Sequence, residues 1–307
     1  MLFTKFLMKI SILYPFTESA HGGGNQFLKA LRNKFIESSL YSDNLEDSDV
    51  ILFNAHQEAE KILSFRKKYP TKLFVHRMDG LYKLYNQPDD IRQDISLYVN
   101  NIAADCTVFQ TKWALDEYIK EGFDVKKPHS IIINAPNCDI FKPAKSKHYY
   151  KKTRLVCTSW SINKNKGFNY YQYLDDNLDF TKYTFTYIGN DPGIDFKNIR
   201  KIGPFDSDRL SKELVNHDIF VTASKHECCS NSLLEAMSCG LPVVGLNSGG
   251  TPEIINKGGE LFNDHNDLIN KIEKVSKNLF SYTNNVNVKS IDDVSCDYLN
   301  FIKSNLT

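Results

Sequence analysis

The chain has 307 residues, of which 41% are hydrophobic, and a formal net charge of +1. This length predicts two domains of about 150 residues each, and the balanced charge gives no electrostatic basis for binding nucleic acid. The seven cysteines include no C-x-x-C pair, which favours reduced thiols and a cytoplasmic protein over a disulfide framework.

The N-terminal residues 1–16 are apolar but do not form a typical signal peptide. Lys9 interrupts the apolar run, no small-residue cleavage site follows it, and a glycine-rich loop comes next. We therefore expect the first strand at residues 9–14. Nothing elsewhere approaches the ~20 apolar residues of a membrane span, so any membrane contact is expected to be peripheral.

Three glycines at 22–24 follow this strand, and the apolar spacing of the next residues predicts a helix. We expect Gly23 and Gly24 either to let a phosphate or sugar approach the helix start closely or to form a plain turn. A dinucleotide-binding fingerprint is not supported, because Phe27 stands where G-x-G-x-x-G needs its third glycine.

Strands and helices then alternate through the first half of the chain, as in a parallel α/β sheet. The predicted strands are 50–54, 72–75, 106–110 and 130–133, and the predicted helices are 56–68, 89–103 and 111–121. Ligands gather at the carboxyl ends of such strands, where His76, Arg77 and Asp79 stand. Arg77 and Asp79 are expected either to bind phosphate and sugar hydroxyls or to pair with each other.

A basic and aromatic run at 142–154 marks a linker, either a solvated connector or a patch for an anionic lipid surface or acidic acceptor. Beyond it we expect strands at 154–159 and 184–188, a short strand and turn at 202–205, and helices near 210–215, 267–279 and 294–304. The loop after the first of these strands contains Lys166, directly before a glycine.

The most informative stretch is 218–260, which predicts a strand at 218–222, a loop at 223–229 and a helix at 232–239. The free N–H groups at the helix start can receive a diphosphate. Two carboxylates, Glu227 in the loop and Glu235 in the helix, can bind the neighbouring hydroxyls of a ribose or hexose. A structural alternative is a capping box formed by Ser232 and Glu235.

This stretch resembles the donor site of family-4 retaining glycosyltransferases. The resemblance rests on Glu227 and Glu235 with seven residues between them, on Asn231, and on the runs Leu-Leu-Glu-Ala-Met, Gly-Leu-Pro-Val-Val and Gly-Gly-Thr-Pro-Glu. It implies the GT-B fold, an α/β architecture of two Rossmann-like domains facing each other across a cleft. The implied domains are 1–143 on the acceptor side, 144–290 on the donor side, and a C-terminal helix at 291–307 that crosses back.

The resemblance also implies roles for individual residues. Lys166 and the helix start would stabilise the leaving diphosphate, and His76 would support the reacting face. Glu227 and the backbone near Cys229 would hold the sugar, and Glu235 the ribose. The implied catalytic residues are Glu227, His76 and Lys166, and the implied donor-binding residues are Gly23, Gly24, Trp160, Ser161, Cys229, Ser230, Asn231, Ser232 and Glu235. No cofactor and no metal are implied.

One position departs from the family pattern. The family has a basic residue at the end of the strand that precedes Lys166, whereas this chain has Trp160 or Ser161 there. Lys164 or Arg77 would have to replace its charge, or Trp160 would stack on a sugar or base. Because neutralising the leaving group is the main catalytic need, the departure leaves donor identity and rate open.

The expected function is a metal-independent transfer of a sugar, with retention, from a nucleotide-diphosphate sugar to a glycan, lipid or other hydroxyl acceptor. A UDP-sugar is favoured and a GDP-sugar remains an alternative. The Glu-x7-Glu pattern argues against one alternative, a nucleotide-sugar epimerase. A second alternative, a non-catalytic nucleotide-sugar-binding protein, is favoured only by the missing basic residue. A glycosidase is disfavoured, because both carboxylates would lie on one side of the donor rather than flank a scissile bond.

Overall fold

The computed structural model of the chain describes residues 8–17, 23–144 and 151–306. The chain divides into two compact units. The first contains residues up to Asn134 together with those from Ile291 onward, and the second is Ala135–Ser290. The first unit thus ends nine residues before the domain boundary predicted at 143, and the C-terminal segment groups with it. Gly22 and linker residues 145–150 lie outside the described residues.

The first unit is built on a parallel sheet of five strands in the order β1-β2-β3-β4-β5. Strands β1 to β4 are buried along their whole length, because most of their side chains are apolar on both faces and their few polar side chains are buried with them. The elements are β1 Ile10–Leu13, α1 Gly23–Glu37, β2 Val50–Asn54, α2 Ala59–Lys68, β3 Leu73–Arg77, α3 Tyr82–Tyr85, α4 Arg92–Ala103, β4 Cys106–Phe109, α5 Lys112–Lys120 and β5 His129–Ile131.

The second unit contains a parallel sheet of six strands in the order β11-β10-β9-β6-β7-β8. Its elements are β6 Thr153–Ser159, α6 Phe168–Asn177, β7 Tyr183–Gly189, β8 Arg200–Ile202, α7 Ser207–Leu214, β9 Ile219–Thr222, α8 Asn231–Ser238, β10 Val243–Leu246, α9 Thr251–Ile255, β11 Gly259–Phe262, α10 His265–Lys277 and α11 Leu279–Asn284. The last helix, α12 Ile291–Asn305, belongs to the first unit, where Tyr298 packs against Phe27 of α1.

The strand order of the second unit reverses next to its central strand, β6. The chain runs outward from β6 through β7 to β8, and then returns to place β9 on the other side of β6. Such a reversal separates the loops that leave the carboxyl ends of the two adjacent strands and opens a crevice between them. The loops after β6 and β9 are therefore where a ligand of this unit is expected.

The predicted strands and long helices are confirmed, with a few differences. Helices α3, α6 and α11 and strand β11 were not predicted. The sequence of α6 is rich in tyrosine, which is a poor helix former, and its apolar face is fixed by packing on the sheet. Strand β3 extends through Arg77, so His76 lies inside a strand rather than after one.

The cysteines and the helices give three further observations. All seven cysteines are free thiols. In the part of the chain that the structure describes, no helix is both long and apolar enough to cross a bilayer. The helix predicted at 111–121 is confirmed as α5, and the Thr111 side chain caps it by accepting the backbone N–H of Ala114.

Candidate functional site

The loops after β6 and β9 touch each other in the second unit. The Lys225 backbone N–H donates to the Asn165 carbonyl at 2.7 Å. Gly167 has a φ of 75°, and a Cβ at this position would lie 2.2 Å from the Ala223 carbonyl oxygen. Only glycine fits so close a backbone approach, and this contact fixes the position of Lys166.

Lys166 and Glu227 form an ion pair where these loops meet. The Lys166 Nζ lies 3.0 Å from the Glu227 Oε1, and the two side chains are only 12% and 21% exposed. The second carboxylate oxygen of Glu227, Oε2, is buried and has no hydrogen-bond partner among the described residues. A buried acceptor without a donor is unfavourable, so this oxygen is suited to accept a hydrogen bond from a ligand hydroxyl.

A third loop, which follows β10, supports the backbone of Glu227. The Gly250 N–H donates to the Glu227 carbonyl at 2.9 Å, and the Ser248 hydroxyl accepts the His226 N–H at 3.1 Å. Gly249 has a φ of 62°, and a Cβ there would lie 2.3 Å from the Glu227 carbonyl oxygen. At Gly249 it is therefore the protein's own backbone that requires glycine.

We predict that Gly249→Ala displaces Glu227 and reduces both stability and ligand binding. The positive φ alone costs about 1–2 kcal/mol in an L-residue, and the clash with the Glu227 backbone adds to this. Gly193→Ala is the matched control, since Gly193 has a φ of 94° but nothing within 4 Å of its added Cβ. Urea denaturation of both variants should show the larger loss of unfolding free energy for Gly249→Ala; equal losses would contradict the clash.

Helix α8 directs its amino end towards the same edge of the sheet. It begins at Asn231, with Ser230 as the N-cap residue, but the Ser230 side chain forms no capping hydrogen bond and instead lies 3.0 Å from the Ser232 hydroxyl. The capping-box alternative is therefore wrong, because Ser232 is the second residue of the helix and Glu235 lies in its second turn. The amino end has no side-chain cap from Ser230, which suits it to an anion.

Glu235 is half-buried and, among the described residues, its carboxyl group has no hydrogen-bond or ion-pair partner. Burial raises the pKa of Glu235 to about 8, since removal from water disfavours the charged form. The side chain is therefore mostly protonated at pH 7 in the ligand-free protein. A protonated carboxyl group donates one hydrogen bond and accepts others, which matches a pair of adjacent hydroxyls.

The remaining predicted donor residues of the second unit lie along the same loops. Trp160 and Ser161 follow β6, and the Trp160 indole is 47% exposed while its carbonyl accepts the Asn190 side chain at 2.8 Å. Cys229 is buried between β9 and α8. The strand order therefore brings together the predicted positions 160, 161, 166, 227 and 229–235 at one edge of the sheet.

His76, in the first unit, does not occupy the exposed position expected for it. Its ring is fully buried and stacks on Phe53 with centroids 4.3 Å apart. Nε2 lies 3.0 Å from the Ala55 carbonyl oxygen, and Nδ1 lies 3.0 Å from the Asn100 amide nitrogen. Burial lowers the pKa of His76 to about 3. Because both ring nitrogens are occupied, the geometry does not support a contact between His76 and a donor sugar.

Arg77 is also fully buried, and its guanidinium donates to the side-chain oxygens of Asn54 and Asn134. It is therefore not placed to replace the basic residue that is absent near position 160. Gly23 and Gly24 are the first residues of α1, and a Cβ on Gly24 would lie 3.9 Å from the Asp79 carboxylate. Across the described residues, no three His, Cys, Asp or Glu side chains are grouped to hold a metal ion.

The sequence interpretation missed His56, which lies in the loop after β2 at the carboxyl edge of the first sheet. Its Nδ1 atom is buried and has no hydrogen-bond partner within the described ranges. The available signal was its position directly after a predicted buried strand. The family resemblance instead implied that the histidine in contact with the ligand is His76, which follows the next predicted strand.

Comparisons with known proteins agree with this architecture. The model of the family "Glycosyl transferases group 1" matches residues 179–278. Sulfoquinovosyl transferase SQD2 of Arabidopsis thaliana is 42% identical over 77 residues, which are 23% of this chain and 15% of that protein. The chain spans about half the length, or less, of the curated relatives that it matches.

Solved structures match over nearly the whole chain. Sucrose-phosphate synthase of Thermosynechococcus elongatus superposes with a TM-score of 0.77 at 13% identity, covering 97% of this chain and 98% of that one. HepE of Anabaena, solved with UDP, with UDP and glucose, and with UDP-glucose, gives TM-scores of 0.71 to 0.74 at 13% to 14% identity, covering 97% of this chain and 100% of HepE. Residues 179–278 therefore resemble a glycosyl transferases group 1 domain, and the chain has the GT-B fold.

Proposed function

We propose that the protein is a retaining glycosyltransferase that transfers a sugar from a nucleotide-diphosphate sugar to the hydroxyl of a glycan, lipid or other acceptor. The observation that carries this proposal is the assembly of Lys166, Glu227 and the start of α8 at the switch point of the second sheet. A cation, an unpaired buried carboxylate oxygen and a helix amino end form a site for a diphosphate joined to a polyhydroxylated group.

A UDP-sugar is the favoured donor. HepE was solved with UDP-glucose, and the likeness in fold supports a UDP-sugar as the donor. The sequence of this chain carries no pattern that is specific for uracil or for guanine. Phe205 lies in the turn after β8, and the guanidinium of Arg209 lies 3.9 Å from its ring centroid. This stacked pair offers a flat surface at the β8–α7 loop on which a base can rest.

In the proposed reaction, the oxygen of the acceptor hydroxyl forms a bond to the anomeric carbon as the bond from that carbon to the diphosphate oxygen breaks. The diphosphate leaves with the bonding electrons, and the acceptor proton passes to one of its phosphate oxygens. Lys166 and the N–H groups of α8 stabilise the developing negative charge. Glu227 orients the sugar through its hydroxyls, and Glu235 holds the ribose.

The proposal includes no cofactor and no bound metal, because the chain's own groups supply positive charge at the diphosphate. It assigns Glu227 neither the nucleophile nor the acid role of a glycosidase carboxylate, since its Oε1 is engaged by Lys166. Where the usual basic residue is absent, the exposed Trp160 ring is available to stack on the sugar or base. Any contact with a membrane would be peripheral.

The proposal is tested by nucleotide release from UDP-glucose, UDP-galactose, UDP-N-acetylglucosamine, GDP-mannose and ADP-glucose without an added acceptor. We expect slow release from one donor, with water as the acceptor. In Glu235→Ala the affinity for that donor should fall by about 10²-fold, since two hydroxyl contacts are lost. The anomeric proton signal of the first sugar released should show the configuration of the donor, which tests retention.

The same panel separates the alternatives. A donor that binds saturably but releases no nucleotide, even with sugar acceptors added, would favour a non-catalytic nucleotide-sugar-binding protein, the reading that the absent basic residue near 160 supports. Recovery of an epimerised nucleotide or sugar would favour an epimerase. If no donor binds, the argument from Lys166, Glu227 and α8 is wrong.

A further inference from the structure

Three strand ends of the first unit place polar groups at one edge of its sheet. Tyr14 follows β1, His56 follows β2, and Asp79 follows β3. Asn54 and Arg77 are register partners at the ends of β2 and β3, so His56 and Asp79 each follow by two residues at neighbouring strand ends. Because ligands of parallel sheets bind at this edge, the cluster is a candidate site in its own right.

The loop that carries His56 has a strained backbone. Ala55 has a φ of 44° and Glu58 a φ of 57°, a left-handed conformation that is unfavourable for residues with a Cβ. Two such residues on either side of His56 need strong support from the surrounding structure. Strain of this kind collects at ligand-binding loops.

Buried groups of β2 and β3 supply that support. The Ala55 N–H donates to the Arg77 carbonyl at 2.9 Å, and the Ala55 carbonyl oxygen lies 3.0 Å from the buried His76 Nε2. Asn54, which accepts from the Arg77 guanidinium, donates to the Gln57 side chain at 3.0 Å. The two residues expected to meet the ligand, His76 and Arg77, therefore hold the loop that presents His56.

The His56 ring is held by an aromatic contact, while its Nδ1 has no hydrogen-bond partner among the residues that the structure describes. It meets the Tyr82 ring edge-on at 5.1 Å, and the Arg92 guanidinium lies 4.8 Å from the Tyr82 ring centroid. Burial first, and then the Arg92 charge, lower the pKa of His56, against smaller opposing effects of Asp79 and Asp90. The ring is therefore neutral at pH 7, and its Nδ1 can donate or accept one hydrogen bond, depending on the tautomer.

The neighbouring carboxylate complements this ring. Asp79 accepts the Gln110 amide at 3.2 Å and the Gly80 N–H at 3.0 Å through Oδ1. Its Oδ2 faces Gly24, where the missing Cβ leaves space. A carboxylate oxygen, a neutral imidazole and aromatic rings at one edge offer the acceptors and the apolar surface that a sugar needs.

We propose that this cluster binds a sugar hydroxyl of the acceptor, with His56 Nδ1 as the hydrogen-bonding partner of the hydroxyl and Asp79 as its neighbour. The proposal rests on the proposed function, because it takes the bound sugar to be the acceptor of the transfer. It assigns the first unit a ligand contact at a residue for which the motifs of the sequence predicted no role.

The test measures binding of methyl α-D-glucoside, methyl α-D-galactoside, methyl α-D-mannoside and N-acetylglucosamine to the full chain. The histidine ring signals are followed by long-range ¹H–¹⁵N NMR, and His56→Asn identifies the His56 signal. We expect at least one sugar to shift this signal saturably. The His217 signal should not move, since that ring lies in the second unit with Nδ1 on the Glu213 carbonyl.

Saturation-transfer measurements on the sugar protons then give the affinity of each variant. His56→Ala should weaken binding by about two- to tenfold, the range for one hydrogen bond. His56→Asn places an amide near the Nδ1 position and should retain most of the affinity. The unchanged ring signals of His76, which contacts the same loop, would show that the fold of the first unit is preserved.

Two results would overturn the proposal: none of the four sugars shifts the His56 signal, or His56→Ala binds as tightly as the wild type. Failure of the proposed function is recognised separately, because it is read from nucleotide binding and release at the second unit. If a sugar bound at His56 but no donor were turned over, the cluster would be a sugar-binding site but not the acceptor site of a transferase.

Discussion

Replacing Lys166 by methionine is expected to lower the rate of nucleotide release by about 10²–10³-fold, the usual effect of removing one preorganised group that stabilises developing charge. Methionine keeps much of the aliphatic volume of the largely buried lysine but removes its charge. The affinity for the donor should fall less than the rate, because negative charge on the diphosphate grows towards the transition state. Single-turnover rates at saturating donor measure the effect directly.

Lys164→Met is the matched control for this experiment. Lys164 lies two residues earlier in the same short 3-10 turn, but its side chain is exposed. If Lys164→Met reduced the rate and Lys166→Met did not, Lys164 would be the residue that neutralises the diphosphate. A fall in both would indicate that the two lysines share the charge that the family places near position 160.

The fold of Lys166→Met needs its own check, because the variant leaves the Glu227 carboxylate without its cation. Breaking a largely buried pair is more unfavourable than removing both charges. The double variant Lys166→Met with Glu227→Gln should therefore recover part of any stability lost in the single variant. If the double variant were stable and equally slow, the loss of rate would belong to the missing charge rather than to a distorted loop.

The second large effect is a pH dependence of stability that arises from Glu235. Burial raises its pKa from 4.5 to about 8, so between these values the folded chain binds a proton that the unfolded chain releases. The contribution of Glu235 to the free energy of unfolding therefore falls as the pH rises from about 4.5 to 8, and stays low above that range. Glu235→Gln, which cannot ionise, should lose this dependence.

At pH 9 we expect Glu235→Gln to be more stable than the wild type by about 2–4 kcal/mol. The full shift would correspond to ~5 kcal/mol at 1.36 kcal/mol per pKa unit, and the partial exposure of the side chain reduces it. At pH 4 the two proteins should have nearly equal stability. Urea denaturation at pH 4, 7 and 9 measures both expectations.

Glu273→Gln controls for the loss of any carboxylate. Glu273 is exposed on α10 and pairs with Lys277, and that pairing lowers its pKa. Its replacement should change stability little at any of these pH values, as is usual for a surface ion pair. If Glu235→Gln and Glu273→Gln behaved alike at pH 9, Glu235 would not be buried in the way described.

Much of the second unit could be predicted from local sequence. Residues 218–260 alternate buried strands, loops and helices at a spacing that only a parallel α/β sheet satisfies well. The positions of Glu227 and Glu235 in a loop and a helix follow from that spacing. Helix α6 and strand β11 were missed, because tyrosine-rich and partly exposed segments carry weak periodicity.

The first unit shows where local sequence is insufficient. A short apolar run followed by His76 was interpreted as a strand end, although the strand continues through Arg77 and buries the histidine. Whether a polar residue faces a ligand or the core depends on which neighbouring groups can satisfy it. Asn100 and Ala55, at 24 and 21 residues from His76, satisfy both of its nitrogens.

The sequence alone therefore determined the class of fold, the order of most of its elements and the chemistry available at the donor loops, because these depend on residue type and on spacing within a few turns of chain. Only the tertiary structure decided which of these groups meet. Lys166 contacts Glu227, 61 residues away in the sequence, because β9 pairs with β6. Gly249 lies against the Glu227 backbone because β10 pairs with β9. Strand order is a property of the whole sheet, and no local pattern contains it.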